Sequence, residues 1–113
     1  MGKGDYLGEF EQLALTAVTL LVPERCYGMT IHERMEELAS GRRVVSLGAV
    51  YTTLDRLEKQ GYVKSWFGGA TEERGGRSKR FFEITAAGQR ALENSLAVAG
   101  NLLRELGLAG GRA

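Results

Sequence analysis

Apolar side chains recur at helical spacing in four stretches of the chain, and two short strand-like runs lie between the third and the fourth. Over residues 8–22, Phe10, Leu13, Ala14, Ala17, Leu20 and Leu21 keep a three-and-four rhythm that Pro23 ends, which predicts a first helix. Leu15, Val18 and Val22 fall on a second side of it, so this helix is apolar over more than one stripe and is expected to touch two partners. Ile31, Met35 and Leu38, separated by Glu33, Arg34, Glu36 and Glu37, predict a second, amphipathic helix. Thr30 and Glu33 stand at capping-box spacing, Gly28 offers a start one turn earlier, and Gly41 suits a left-handed stop. Ser46 is placed to cap a third helix, whose Leu47, Val50, Leu54 and Leu57 form one stripe that ends before Gly61.

Residues 62–67 are aromatic and β-branched enough for a strand, and residues 80–85 predict its partner across a long, Gly-rich, charged tip at 68–79. Thr85 can cap a last helix that continues to about Leu106, with residues 107–113 as a flexible tail. Two amphipathic helices joined by a short turn and followed by a hairpin predict a mainly α chain with a small β-hairpin: a winged helix-turn-helix over 8–85, with an added dimerisation helix over 86–106. No internal repeat and no second core are visible, so residues 1–113 are expected to form one domain. At 43% apolar content the core needs no staples.

Charge sharpens this picture by its distribution rather than its sum, which is only +1. Residues 1–41 carry three basic and seven acidic side chains, 42–80 carry nine and four, and 81–113 carry three of each. The excess of positive charge is therefore confined to the middle third, as expected if one face meets phosphate. The longest apolar stretch, from Leu13 to Val22, is too short to cross a bilayer, and the first residues do not have the pattern of an export signal. One cysteine and one histidine make neither an intrachain disulfide nor a metal site of familiar spacing. A cytoplasmic protein without cofactor, metal or membrane partner is expected. His32, Cys26 and the hairpin aromatics Trp66, Phe67, Phe81 and Phe82 are read as structural. No nucleophile with a spaced base, paired carboxylate set or phosphate loop is present, which argues against an enzyme.

The third helix carries the candidate chemistry. Plotted at 3.6 residues per turn, Gly48, Ala49, Thr52, Arg56 and Lys59 face away from the apolar stripe, with Tyr51 on the border. Small residues near the helix start allow close approach to a major groove, and Thr52 can meet a base edge or a thymine methyl. Arg56 can reach phosphate or guanine, and the Tyr51 hydroxyl can reach phosphate. The hairpin tip supplies Arg74, Arg77, Lys79 and Arg80 within seven residues, a spacing that lets cations lie along a backbone or in a minor groove. Dimerisation follows from a separate feature. Leu92, Leu96, Ala99, Leu103 and Leu106 alternate four and three residues apart, approximating a coiled-coil seam. A single small domain has difficulty covering both this seam and the second face of helix one, Leu15, Val18 and Val22.

Three separated blocks, YGMTI at 27–31, LGAVYTTLDRLEKQG at 47–61 and GRSKRFFEITAAG at 76–88, resemble the N-terminal domain of the PadR family of bacterial winged-helix regulators. The resemblance spans roughly residues 9–106. It implies a homodimeric binder of double-stranded DNA, usually a repressor, with Tyr51 matching a recognition-helix tyrosine and the terminal helices forming the dimer. The single C-terminal helix resembles the short subfamily. Some of its members bind planar drug-like molecules, so a small-molecule effector at the dimer interface is a further implied partner. The aromatic that such members place on the last helix has no counterpart here, since residues 86–113 contain no Trp, Tyr or Phe. Two readings stay open beside this one: a winged-helix module for protein contact, and a regulator of another winged-helix family.

Overall fold

The computed structural model describes residues 6–68 and 79–108. Helix α1 runs Glu9–Leu20, shorter than the predicted 8–22, because Leu21 and Val22 turn extended ahead of Pro23. A single 3₁₀ turn, Pro23–Arg25, follows. Helix α2, Gly28–Ala39, takes the earlier of its two candidate starts. The capping hydroxyl does belong to Thr30, but it reaches backwards: it accepts from the Tyr27 N–H at 3.1 Å and donates to the Arg25 carbonyl. At the other end Ser40 and Gly41 both adopt left-handed backbone and stop the helix.

Helix α3, Leu47–Lys59, is capped as expected, with Ser46 Oγ accepting from the Ala49 N–H at 3.2 Å. Strands β1, Val63–Gly68, and β2, Lys79–Ile84, pair antiparallel in a register running from Val63 opposite Ile84 to Gly68 opposite Lys79. Helix α4, Ala86–Glu105, begins at Thr85, whose hydroxyl accepts from the Gly88 N–H at 3.0 Å and donates to the Gly61 carbonyl at 2.6 Å. The order of elements is thus the predicted winged helix-turn-helix with one further helix.

The core lies where α1, α2 and α3 meet the hairpin. Ile31, Met35, Val50, Leu54 and Leu57 are fully buried, and Phe82 closes the core from β2. Burying five such aliphatic side chains contributes on the order of 10 kcal/mol before chain entropy is counted. Leu15 and Val18, expected to face a second copy, are instead buried within this one chain, at 0% and 5% exposure. The reason is that α1 is the central helix: it packs on α2, α3, α4 and β2, so both of its stripes find partners inside the chain. Only the end of the second stripe, Val22, stays exposed.

Helix α4 divides in two. Gly88, Ala91, Leu92 and Ser95 pack on the body, and the buried Ser95 hydroxyl accepts from the Leu7 N–H at 2.8 Å. From residue 96 to residue 108 no side chain is buried. Leu92, the first member of the predicted seam, therefore belongs to the core, while Leu96, Ala99, Leu103 and Leu106 lie on the surface with Val98 and Leu102. None of the described helices is long and apolar enough to cross a membrane.

Candidate nucleic-acid interface

Helix α3 sorts its residues as its periodicity requires. Val50, Leu54 and Leu57 are fully buried, whereas Gly48, Ala49, Thr52, Arg56 and Lys59 are exposed on the opposite side. Thr52, Asp55, Arg56 and Lys59 line a shallow groove of about 490 Å³ along that side. Arg56 is half exposed and its Nε donates to Glu11 Oε2 at 3.2 Å. A surface pair of this kind is worth less than about 1 kcal/mol, so it holds the guanidinium only loosely.

The start of α3 is positioned from two sides. Ser46 caps it, and His32 on α2 pins the turn before it: His32 Nε2 stands 2.7 Å from the Val45 carbonyl oxygen, which can only accept, so this nitrogen carries the hydrogen. Glu36 lies 3.5 Å from the same nitrogen. Sequence reading took His32 as a structural residue, at the surface or near a helix cap. It is half-buried instead, and no local pattern signals a contact that spans thirteen residues.

Tyr51 sits at the join between α3 and the start of α2. Its ring lies across Gly28, and with Tyr27, Met29, Phe67, Lys79 and Arg80 these two residues line a cleft of about 610 Å³. Regular hydrogen bonding of α2 begins with the Ile31 N–H on the Tyr27 carbonyl at 2.8 Å, so the N–H groups of the first turn have no carbonyl partner within the helix. Lys79, exposed at the start of β2, holds its ammonium 5.1 Å above the Tyr27 ring. A helix N-terminus, a phenol and an ammonium around one cleft form a surface suited to an anion.

The hairpin does not deliver all its predicted cations. Arg74 and Arg77 lie outside the described residues. Arg80 turns toward α3: Nη1 meets Asp55 at 2.9 Å, Nη2 meets Glu58 at 2.6 Å, and Nε donates to Ser65 Oγ at 3.2 Å. Its guanidinium covers the Phe82 ring at 4.8 Å. Partial burial opposes its charge, yet the hydrogen bonds to Asp55 and Glu58 hold its pKa above the ordinary value. The Glu58 carboxyl is held low first by the Ser65 hydroxyl and then by Arg80. Alternation along β2 places Arg80 on the Phe82 side, facing α3, which corrects the reading of Arg80 as a free wing cation.

The remaining aromatics split. Trp66 stacks on Phe81 with centroids 6.2 Å apart and Tyr27 meets Phe81 edge-on, as packing requires, whereas Phe67 is 71% exposed at the mouth of the Tyr51 cleft. Cys26 is buried, and burial pushes its thiol up to about 11.

The sequence model of the transcriptional regulator PadR-like family matches residues 18–94. No curated protein matches the chain. Among solved structures, a PadR family transcriptional regulator from Eggerthella lenta is similar at 22% identity and TM-score 0.64, over 87% of this chain and 78% of that one. A transcriptional regulator from Clostridium thermocellum is similar at 22% identity and TM-score 0.64, over 85% and 84%. The Aeropyrum pernix ORC1 protein, solved in complex with DNA, is similar at 28% identity and TM-score 0.64; the match covers 82% of this chain but only 25% of that much longer one.

Proposed function

This chain belongs to the PadR-like family of transcriptional regulators, and on that premise we propose that two copies bind a pseudo-palindromic operator in duplex DNA and repress transcription in the cytoplasm. The observation that carries this reading is the face of α3 opposite the buried Val50, Leu54 and Leu57. It is exposed, small near the helix start at Gly48 and Ala49, polar at Thr52 and cationic at Arg56. Such a face admits a major groove and offers base contacts through Thr52 and phosphate contacts through Arg56. Ser46 fixes the helix start. Tyr51, Lys79 and the first turn of α2 meet the backbone beside it, and Arg74 and Arg77 extend the contact from the hairpin tip. The solved ORC1 relative in complex with DNA supports the same partner for this fold.

The second copy is proposed from α4. Leu96, Val98, Leu102, Leu103 and Leu106 are each at least 42% exposed along one helix, a larger apolar run than a monomer of this size keeps in water. Pairing of two such helices, with Ala99 in the seam and Val22 at its margin, covers it. The whole chain then acts as one domain, its last helix as the dimer element, and that seam is the proposed place for a small-molecule effector. Titration of the purified protein against genomic fragments at low ionic strength tests the proposal: saturable binding that weakens steeply with salt supports it, and absence of binding refutes it.

A further inference from the structure

Arg80 stands on β2 at the base of the hairpin and meets partners on two other elements: Asp55 and Glu58 on α3 and Ser65 on β1. Ser65 closes the cluster: its hydroxyl lies 2.9 Å from both carboxylate oxygens of Glu58 and shares its single hydrogen between them. We propose that Arg80 is a positioning residue, which locks the hairpin to the C-terminal half of α3 so that wing and recognition helix meet the duplex as one body, and which makes no phosphate contact itself. The inference rests on the DNA-binding reading above.

Three observations carry it. Each of the three guanidinium nitrogens already has an acceptor at 2.6–3.2 Å, and two of these are charge-assisted contacts to separate carboxylates. The two carboxylates outnumber the one cation, so an approaching phosphate meets a cluster of net negative charge rather than a free positive one. One face of the guanidinium is also covered by Phe82, a core residue at 1% exposure. A two-stranded hairpin has little stability of its own, so its angle to α3 depends on such side-chain ties. Lys79 shows the contrast one residue earlier, exposed and without a carboxylate partner among the described residues.

The test uses the full-length protein and the duplex that it selects from a random pool, with binding measured over a range of salt. Arg80→Gln is expected to weaken binding about five- to tenfold, the cost of a hairpin no longer held at its angle to α3, and to leave the salt slope at the wild-type value. The double variant Asp55→Asn, Glu58→Gln keeps Arg80 and removes two negative charges near the duplex, yet it too is expected to weaken binding. A direct phosphate contact gives the reverse pattern: a slope reduced by about one in Arg80→Gln, and tighter binding in the double variant. Either of those results, or unchanged affinity in both variants, overturns the proposal. Failure of the wild-type chain to select any duplex would remove the reading beneath it before a variant is compared.

Discussion

The Tyr51 ring lies so close over the first residue of α2 that a Cβ on Gly28 would fall 2.1 Å from its hydroxyl oxygen. Glycine is therefore required at the start of α2 not for backbone freedom but for the space that Tyr51 occupies. The clash would be with the far end of a side chain that can swing outward. Gly28→Ala should thus cost less than about 1.5 kcal/mol in denaturant unfolding, while DNA affinity falls as the phenol leaves its position. In a Tyr51→Ala background the same change should have no further effect on either measurement, a coupling that a double-mutant cycle reads directly.

Gly88 gives the opposite balance. A Cβ there would meet the Tyr62 carbonyl oxygen at 2.1 Å, and a backbone atom held between α3 and β1 cannot step aside. Gly88→Ala is expected to lower stability by about 2–3 kcal/mol, seen as a shifted midpoint in urea with an unchanged slope.

Burial separates two groups of residues that periodicity had joined. Leu103→Glu or Leu96→Glu, on the exposed part of α4, should yield a folded monomer by sedimentation velocity. Leu15→Ala, in the protomer core, should cost about 2–5 kcal/mol of stability. A Leu103→Glu protein that remains dimeric would show that the partner copy docks elsewhere.

Cys26 offers a test by pH. Its thiol is pushed from the ordinary 9.0 to about 11 by burial, which outweighs the hydrogen bond from the Phe82 N–H. The folded chain therefore holds this proton after the unfolded chain has released it: the contribution is fully present below about pH 9, where it adds no slope, and is lost as pH rises from about 9 towards 11. Cys26→Ala should lack that component of the slope. At neutral pH a thiol-specific reagent should label the native protein far more slowly than the unfolded one.

Much of this structure was legible in the sequence, and the reasons are local. The stripe Val50, Leu54, Leu57, the Ser46 and Thr85 caps and the strand runs around a charged tip each depend on spacing within one element, and each appears as expected. What could not be read is tertiary. Whether Leu15 faces a core or a partner depends on how many neighbours α1 acquires, and its periodicity is the same in both cases. Arg80 looks like any wing cation until α3 places Asp55 and Glu58 one turn apart beside it. His32 and Gly28 acquire their roles from Val45 and Tyr51, residues thirteen and twenty-three positions away.

Selection of bound sequences from a random duplex pool, by the purified protein at a stated salt concentration, tests the central claim most directly. Two α3 helices related by a dyad predict a palindromic consensus whose half-site centres lie about 34 Å, one turn of DNA, apart. Enrichment of a single unpaired half-site, or no enrichment at low ionic strength, would contradict it.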